Sequence, residues 1–226
     1  MRFRSRRDGF TMVELMVSIV ILVLISTTTV FSLTSTRNKD ELNTAARMLA
    51  SDIRNIQARA LAARNVYQCT GADGKLQLCG ADASVTPTCV DACTPLPPPR
   101  FCLHTPPASQ FYQLYADIRG NDWRLTDTNE RLINRSLALP GGGSGGNVNM
   151  LISNVSWPGS PATPNTADIC VSRQSGTMRI NACGDAGLPA CTPTEPQVLT
   201  VTLRHNKSGE SKTIEVNAVT GRVSIQ

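Results

Sequence analysis

An α+β fold, one long N-terminal helix laid across an antiparallel sheet with disulfide-pinned loops, is what this sequence predicts, on three observations. No proline or glycine interrupts the chain from Phe10 to Asn65; the first part of that stretch is apolar all round, and the second carries a helical seam. Beyond it, short segments of alternating apolar and polar residues are separated by Gly-, Pro- and Asn-rich turns, as antiparallel strands are. Eight cysteines, all beyond the apolar stretch, form an even set of the kind that staples a translocated domain.

The first element covers residues 10–33, where Glu14 is the only charge. At a rise of about 1.5 Å per residue such a helix is roughly 36 Å long, enough to cross a bilayer core of about 30 Å. Ahead of it, Arg2, Arg4, Arg6 and Arg7 stand against a lone Asp8, which keeps the N-terminus cytoplasmic and sends the bulk of the chain across. A carboxylate inside an apolar run is costly and marks a function with a nearby partner. Two plainer readings are a single-pass anchor with Glu14 at the interface and a cleaved secretory signal. The latter wants an A-x-A-like site, which Ser26-Thr27-Thr28-Thr29-Val30 does not supply.

The basic leader, Gly9-Phe10-Thr11-Met12-Val13-Glu14-Leu15 and the apolar run together resemble the class III signal of type IV pilins and of the pseudopilins of type II secretion. The resemblance implies that prepilin peptidase cuts after Gly9 and that Phe10 becomes the N-methylated mature N-terminus. It implies that Glu14 serves assembly, neutralising the α-ammonium of a neighbouring subunit's Phe10 in an apolar filament core, where an unpaired charge is very costly. On this resemblance residues 1–9 are a cleaved leader, 10–33 a transmembrane and filament-core helix, 34–65 its amphipathic second half, and 66–226 a β-rich head, together a pilin fold. The partners it implies are other pilin or pseudopilin subunits, the prepilin peptidase and the bacterial inner membrane. It also implies a head on the periplasmic side before incorporation into an extracellular or periplasmic filament.

In the second half of the helix, Leu42, Ala46, Leu49, Ile53, Ile56 and Ala60 recur at spacings of four and three, an apolar seam suited to packing on a sheet. Fewer than three heptads make a coiled coil the poorer account. Residues 45–60 are similar to the GspH/FimT family of minor pilins and pseudopilins, as are the closing strands around Gly221-Arg222.

Past the helix, Tyr67 to Cys69 and Lys75 to Cys79 read as a hairpin around Gly71-Ala72-Asp73-Gly74. Residues 84–107, with seven prolines, read as a loop without regular strand pairing, pinned by Cys89, Cys93 and Cys102. Phe111 to Ile118 is expected to be a central strand. Further strands are expected at Arg131 to Leu139, Val148 to Val155, Ile169 to Ser172 and Thr177 to Ile180, with a flexible Gly-Ser run at 141–146. The clearest β signal is the hairpin of Val198 to Arg204 and Lys212 to Asn217 around Asn206-Lys207-Ser208-Gly209, followed by a short strand after Gly221.

The cysteines are Cys69, Cys79, Cys89, Cys93, Cys102, Cys170, Cys183 and Cys191. A zinc site wants C-x-x-C pairs, which are missing, so disulfides are expected; local loops Cys69–Cys79 and Cys183–Cys191 are two candidate pairings among many. No catalytic motif stands out, no cofactor or metal site is expected, and His104 and His205 read as surface residues. Asp117, Asn121, Asp122 and Asp127 lack EF-hand spacing and fit an Asx-rich turn better than a calcium site. The whole chain carries a formal charge of +5. Without residues 1–9, which hold four Arg and one Asp, 18 basic and 16 acidic side chains remain, or +2, too little to announce nucleic-acid binding by itself. Some proteins resembling FimT act in DNA uptake through basic residues near the C-terminus. Arg204, His205, Lys207, Lys212 and Arg222 cluster in sequence here, diluted by Glu210 and Glu215, and Ser224 stands where those relatives carry a second Arg after the Gly-Arg pair. The function expected is thus that of a minor structural subunit, not an enzyme, with a DNA receptor as the alternative.

Overall fold

The computed structural model describes residues 11–71, 76–78, 91–117, 131–137, 150–160, 165–184 and 194–226, with side chains for all of these except 28–35, 76–77 and 131–133. Helix α1 runs Met12–Leu61. The chain divides at Asp40 and Glu41 into two compact units. The first contains the N-terminal part of α1, and the second begins on α1 and includes every described strand.

In the second unit, Leu42, Ala46, Leu49, Ile53, Ile56 and Ala60 are all at most 4% exposed, so the expected seam is the buried face. Ala45 and Ala50 join it. With four alanines in the stripe, the helix backbone can approach its neighbours closely.

Twelve strands occur among the described residues, all paired antiparallel. β1 (Val66–Thr70) lies between β2 (Leu76–Leu78) and β3 (Thr94–Leu96). A five-stranded sheet has the order β6 (Arg131–Ser136), β5 (Phe111–Asp117), β4 (Arg100–Thr105), β8 (Asn165–Ser172), β9 (Met178–Gly184). A four-stranded sheet has the order β12 (Val223–Ile225), β11 (Ser211–Asn217), β10 (Val198–His205), β7 (Met150–Ser156). The inner faces of these two sheets and the helix seam share one core, from Phe101, Leu103 and Tyr112 through Ile169 and Ile180 to Leu199, Val201 and Ile214.

Polar contacts fix α1 to both sheets. Tyr112 of β5 donates its hydroxyl to Asp52 Oδ2 at 2.6 Å, and Arg135 Nε of β6 lies 3.4 Å from the same oxygen. On the other flank, Arg54 Nη2 donates to the Val223 carbonyl at 3.0 Å and Gln57 Nε2 to the Gly221 carbonyl at 2.8 Å. Burial, and then the Asp52 carboxylate, push the Tyr112 phenol far above its usual value, so it stays a donor.

The β1–β2 hairpin, the central place of β5 and the three C-terminal strands agree with the pattern read from sequence. Residues 84–107 need correction: β3 and β4 lie inside that stretch, and β4 is a central strand. Pro99 and Pro106 fall just outside β4, so no ladder donor is missing within it. Phe101, Leu103 and Thr105 alternate inward, all at most 1% exposed. Pro95 sits on β3, an outer strand of its sheet, where proline is tolerated. The Gly71–Gly74 turn beyond Gly71, the turn at Gly120, the Gly-Ser run, the Asx cluster apart from Asp117, Cys79, Cys89 and Cys191 lie outside the described residues. Asp117 itself is buried against Arg100, Nη1 to Oδ2 2.6 Å.

Cys102 of β4 and Cys170 of β8 are register partners and form a disulfide. Cys69, Cys93 and Cys183 are also disulfide-bonded.

Candidate functional site

The sequence starts α1 with Thr11-Met12-Val13-Glu14, a T-x-x-E arrangement suited to a helix N-terminus. Thr11 stands just before the helix. Its Oγ1 accepts the Glu14 backbone N–H at 3.3 Å and lies 3.5 Å from Glu14 Oε2, toward which it donates. The Leu15 N–H donates to the Thr11 carbonyl at 3.2 Å. Thr11 therefore caps the helix with its hydroxyl, and the Glu14 charge in the first turn favours the helix dipole. The T-x-x-E spacing at residues 11–14 is the sequence signal for this cap.

Beyond this cap the helix is apolar and uncovered. Every described side chain from Thr11 to Thr27 is exposed, and Met12, Val13, Leu15, Met16, Val17 and the run Ile19 to Ile25 are 51–78% accessible. So large an apolar surface in a single protein marks an interaction or membrane site. Ser18 and Ser26 return their hydroxyls to the carbonyls of Glu14 and Leu22 at 2.8 and 2.7 Å, hiding polar groups that hydrocarbon would penalise. Among the described residues no helix is long and apolar enough to cross a membrane. The sequence from Thr28 to Leu33 adds no charge. Gly9 and Phe10 lie outside the described residues.

The C-terminal basic residues do not form one patch. Arg204 pairs with Ser211 across the β10–β11 hairpin and is exposed, with Lys207 in the adjoining turn. Lys212 is the register partner of buried Leu203, and its Nζ donates to Asn43 Oδ1 on α1. It therefore faces the helix. Arg222 lies beside Asn217, whose N–H donates to its carbonyl at 2.9 Å. Ser211 and Asn217 are the ends of β11, so Arg204 and Arg222 stand about 20 Å apart along the sheet. Glu215 lies between them, its side chain accepting from Gln226 at 3.2 Å.

Both histidines correct the surface assignment. His205 is fully buried at the end of β10: its Nδ1 accepts the Ser208 backbone N–H at 3.1 Å, which puts a neutral ring's proton on Nε2, 3.7 Å from Glu41 Oε2. It sits on the inward side of a strand reading Leu199, Val201, Leu203, His205, a period of two that places it in the core. His104 is partly buried and its Nδ1 lies 2.8 Å from Asp168 Oδ1. Tyr115 donates to the same oxygen at 3.2 Å, beside the Cys102–Cys170 bridge. Among the described residues no group of His, Cys, Asp or Glu is placed to hold a metal ion.

The family described as the prokaryotic N-terminal methylation motif matches residues 4–30, which take in Arg4, Arg6, Arg7, Gly9, Phe10, Glu14 and most of the apolar run. Neither a curated protein nor a solved structure matches the chain. At its N-terminus this protein carries the methylation motif typical of type IV pilins and pseudopilins, set on a capped and uncovered apolar helix.

Proposed function

We propose that this protein is a minor structural subunit of a type IV pilus or a type II secretion pseudopilus, of the GspH/FimT kind, held by its N-terminal helix with a β-rich head displayed. The carrying observation is the methylation motif at residues 4–30 placed directly on a helix whose apolar side chains are uncovered from Met12 to Ile25. Prepilin peptidase cuts between Gly9 and Phe10, and the Phe10 amine is methylated. The precursor sits in the inner membrane with its head in the periplasm. In the filament, helices of neighbouring subunits cover the apolar face, and Glu14 meets the new amine of the next subunit.

The test is the mass of the N-terminal peptide recovered from cells. The reading expects a peptide that begins at a methylated Phe10. Recovery of Met1 with its arginines still attached refutes it. The DNA-receptor alternative draws support only from Arg204 and Lys207 at one turn, since Lys212 faces α1 and Arg222 stands at the far end of the sheet.

A further inference from the structure

Among the described residues the five-stranded sheet ends on one side at β9, and part of the β9 main chain points outward from that side. The Ser172 N–H donates to the Thr177 carbonyl at 2.9 Å, which fixes the alternation in the β8–β9 ladder. In this register Arg179, Asn181 and Cys183 exchange hydrogen bonds with β8, while Met178, Ile180 and Ala182 aim their N–H and C=O groups away from it. Ala182 uses both of its groups: its N–H donates to Thr194 O at 2.9 Å and its carbonyl accepts the Thr194 N–H at 3.0 Å. Among the described residues the pairing goes no further. Continued antiparallel, it would set Pro196 opposite Ile180, and proline has no N–H to give.

Residues 195–197 lead into β10 instead, leaving a cleft of about 570 Å³ lined by Met178, Ile180, Pro196 and Gln57. Met178 and Ile180 main-chain groups on this side find no partner among the described residues. Val219 lines the cleft and is 71% exposed. Leu61, also 71% exposed, packs on Gly176 beside it, where an added Cβ would meet Leu61 Cδ2 at 2.8 Å. Arg179 Nη1 and Glu195 Oε1 lie 3.6 Å apart, each more than half exposed, a surface pair weak enough to part.

We propose that this cleft docks an extended segment of a partner protein, added to β9 as one more antiparallel strand with apolar side chains at alternate positions. Main-chain pairs to Met178 and Ile180 supply the attachment, and Val219 with Leu61 receives one apolar side chain of the incoming strand. The Thr194 bridge already shows this edge accepting a strand residue in that geometry. The proposal needs neither the N-terminal motif nor filament assembly.

The experiment uses the full chain in detergent micelles and an acetylated, amidated Val-Thr-Val-Thr-Val-Thr peptide as probe, read by amide hydrogen exchange. Saturating peptide is expected to slow exchange at Met178 and Ile180 by about tenfold or more. Two further peptides, N-methylated on the valines or on the threonines, are expected to differ, one binding like the parent and the other at least about tenfold more weakly. Val219→Asp, at an exposed turn that leaves the core untouched, is expected to weaken the parent peptide by roughly tenfold. The proposal is overturned by amides of Met178 and Ile180 already protected in the chain alone, by no slowing with peptide, or by equal binding of the two methylated peptides.

Discussion

Replacing Tyr112 with Phe removes one oxygen from the junction between α1 and the five-stranded sheet and leaves the ring in place, so no cavity forms. What is lost is a 2.6 Å hydrogen bond to Asp52, a carboxylate 7% exposed. Hydrogen bonds to charged groups contribute about 1.5–3 kcal/mol. Arg135 at 3.4 Å still attends the same oxygen, so the loss should be near about 2 kcal/mol, or roughly 4–8 °C in Tm for a chain of this size. Asp52→Leu alone should cost as much or more, because it orphans the buried phenol. The double variant should recover about 1–2 kcal/mol relative to the sum of the singles. Thermal and denaturant unfolding of the full chain in detergent, with disulfides oxidised, measure all three. If Tyr112→Phe unfolds within about 0.5 kcal/mol of the parent, or the two changes simply add, the junction is not what holds the helix to this sheet.

Glu14→Gln keeps a capping-box side chain and removes the charge. It should therefore form the helix normally yet fail to enter filaments, measured by subunit recovery in sheared filament fractions, and normal recovery would dismiss the charge-pairing role. Lys212→Met should lower stability by about 1 kcal/mol through its lost bond to Asn43 and leave any DNA retention unchanged. A gel shift at low salt that this change weakens would return Lys212 to a nucleic-acid surface. Replacing Cys102 and Cys170 together by Ala should cost about 2–4 kcal/mol, given the 68-residue separation they bridge; an unaltered denaturant midpoint would speak against it. The Thr70 backbone N–H and then its hydroxyl hold the Asp91 carboxylate below its usual value, so the contact is intact above the unfolded value of 3.8 and is lost as pH falls through the lower folded one. Exchange at the Thr70 amide, corrected for intrinsic rate, should accelerate only in that acid range, and a flat protection profile would contradict the assignment.

The helix was legible because its seam rests on a period that no proline or glycine disturbs, and the burial of Leu42, Leu49 and Ile53 follows from spacing alone. β4 was concealed by composition: prolines crowd its flanks, and only the alternation of Phe101, Leu103 and Thr105 betrays a strand between them. The basic residues near the C-terminus show the reverse error. Neighbours along a hairpin alternate between its faces, so Lys212 and Arg204, both charged and close in sequence, point to opposite sides. The cleft at β9 was beyond sequence reasoning because a free edge is a property of strand order. The Thr11 cap is legible in the T-x-x-E letters of residues 11–14.

The seam of α1 also decides where this protein can be cut. Its head begins inside a helix, not after a linker, and Leu42, Ala45 and Ala46 fill its interior. A soluble fragment should therefore start no later than Glu41. One trimmed back to Ser51 would keep every strand yet open a trench down its middle, and such a fragment should aggregate even though nothing resembling a membrane anchor remains in it.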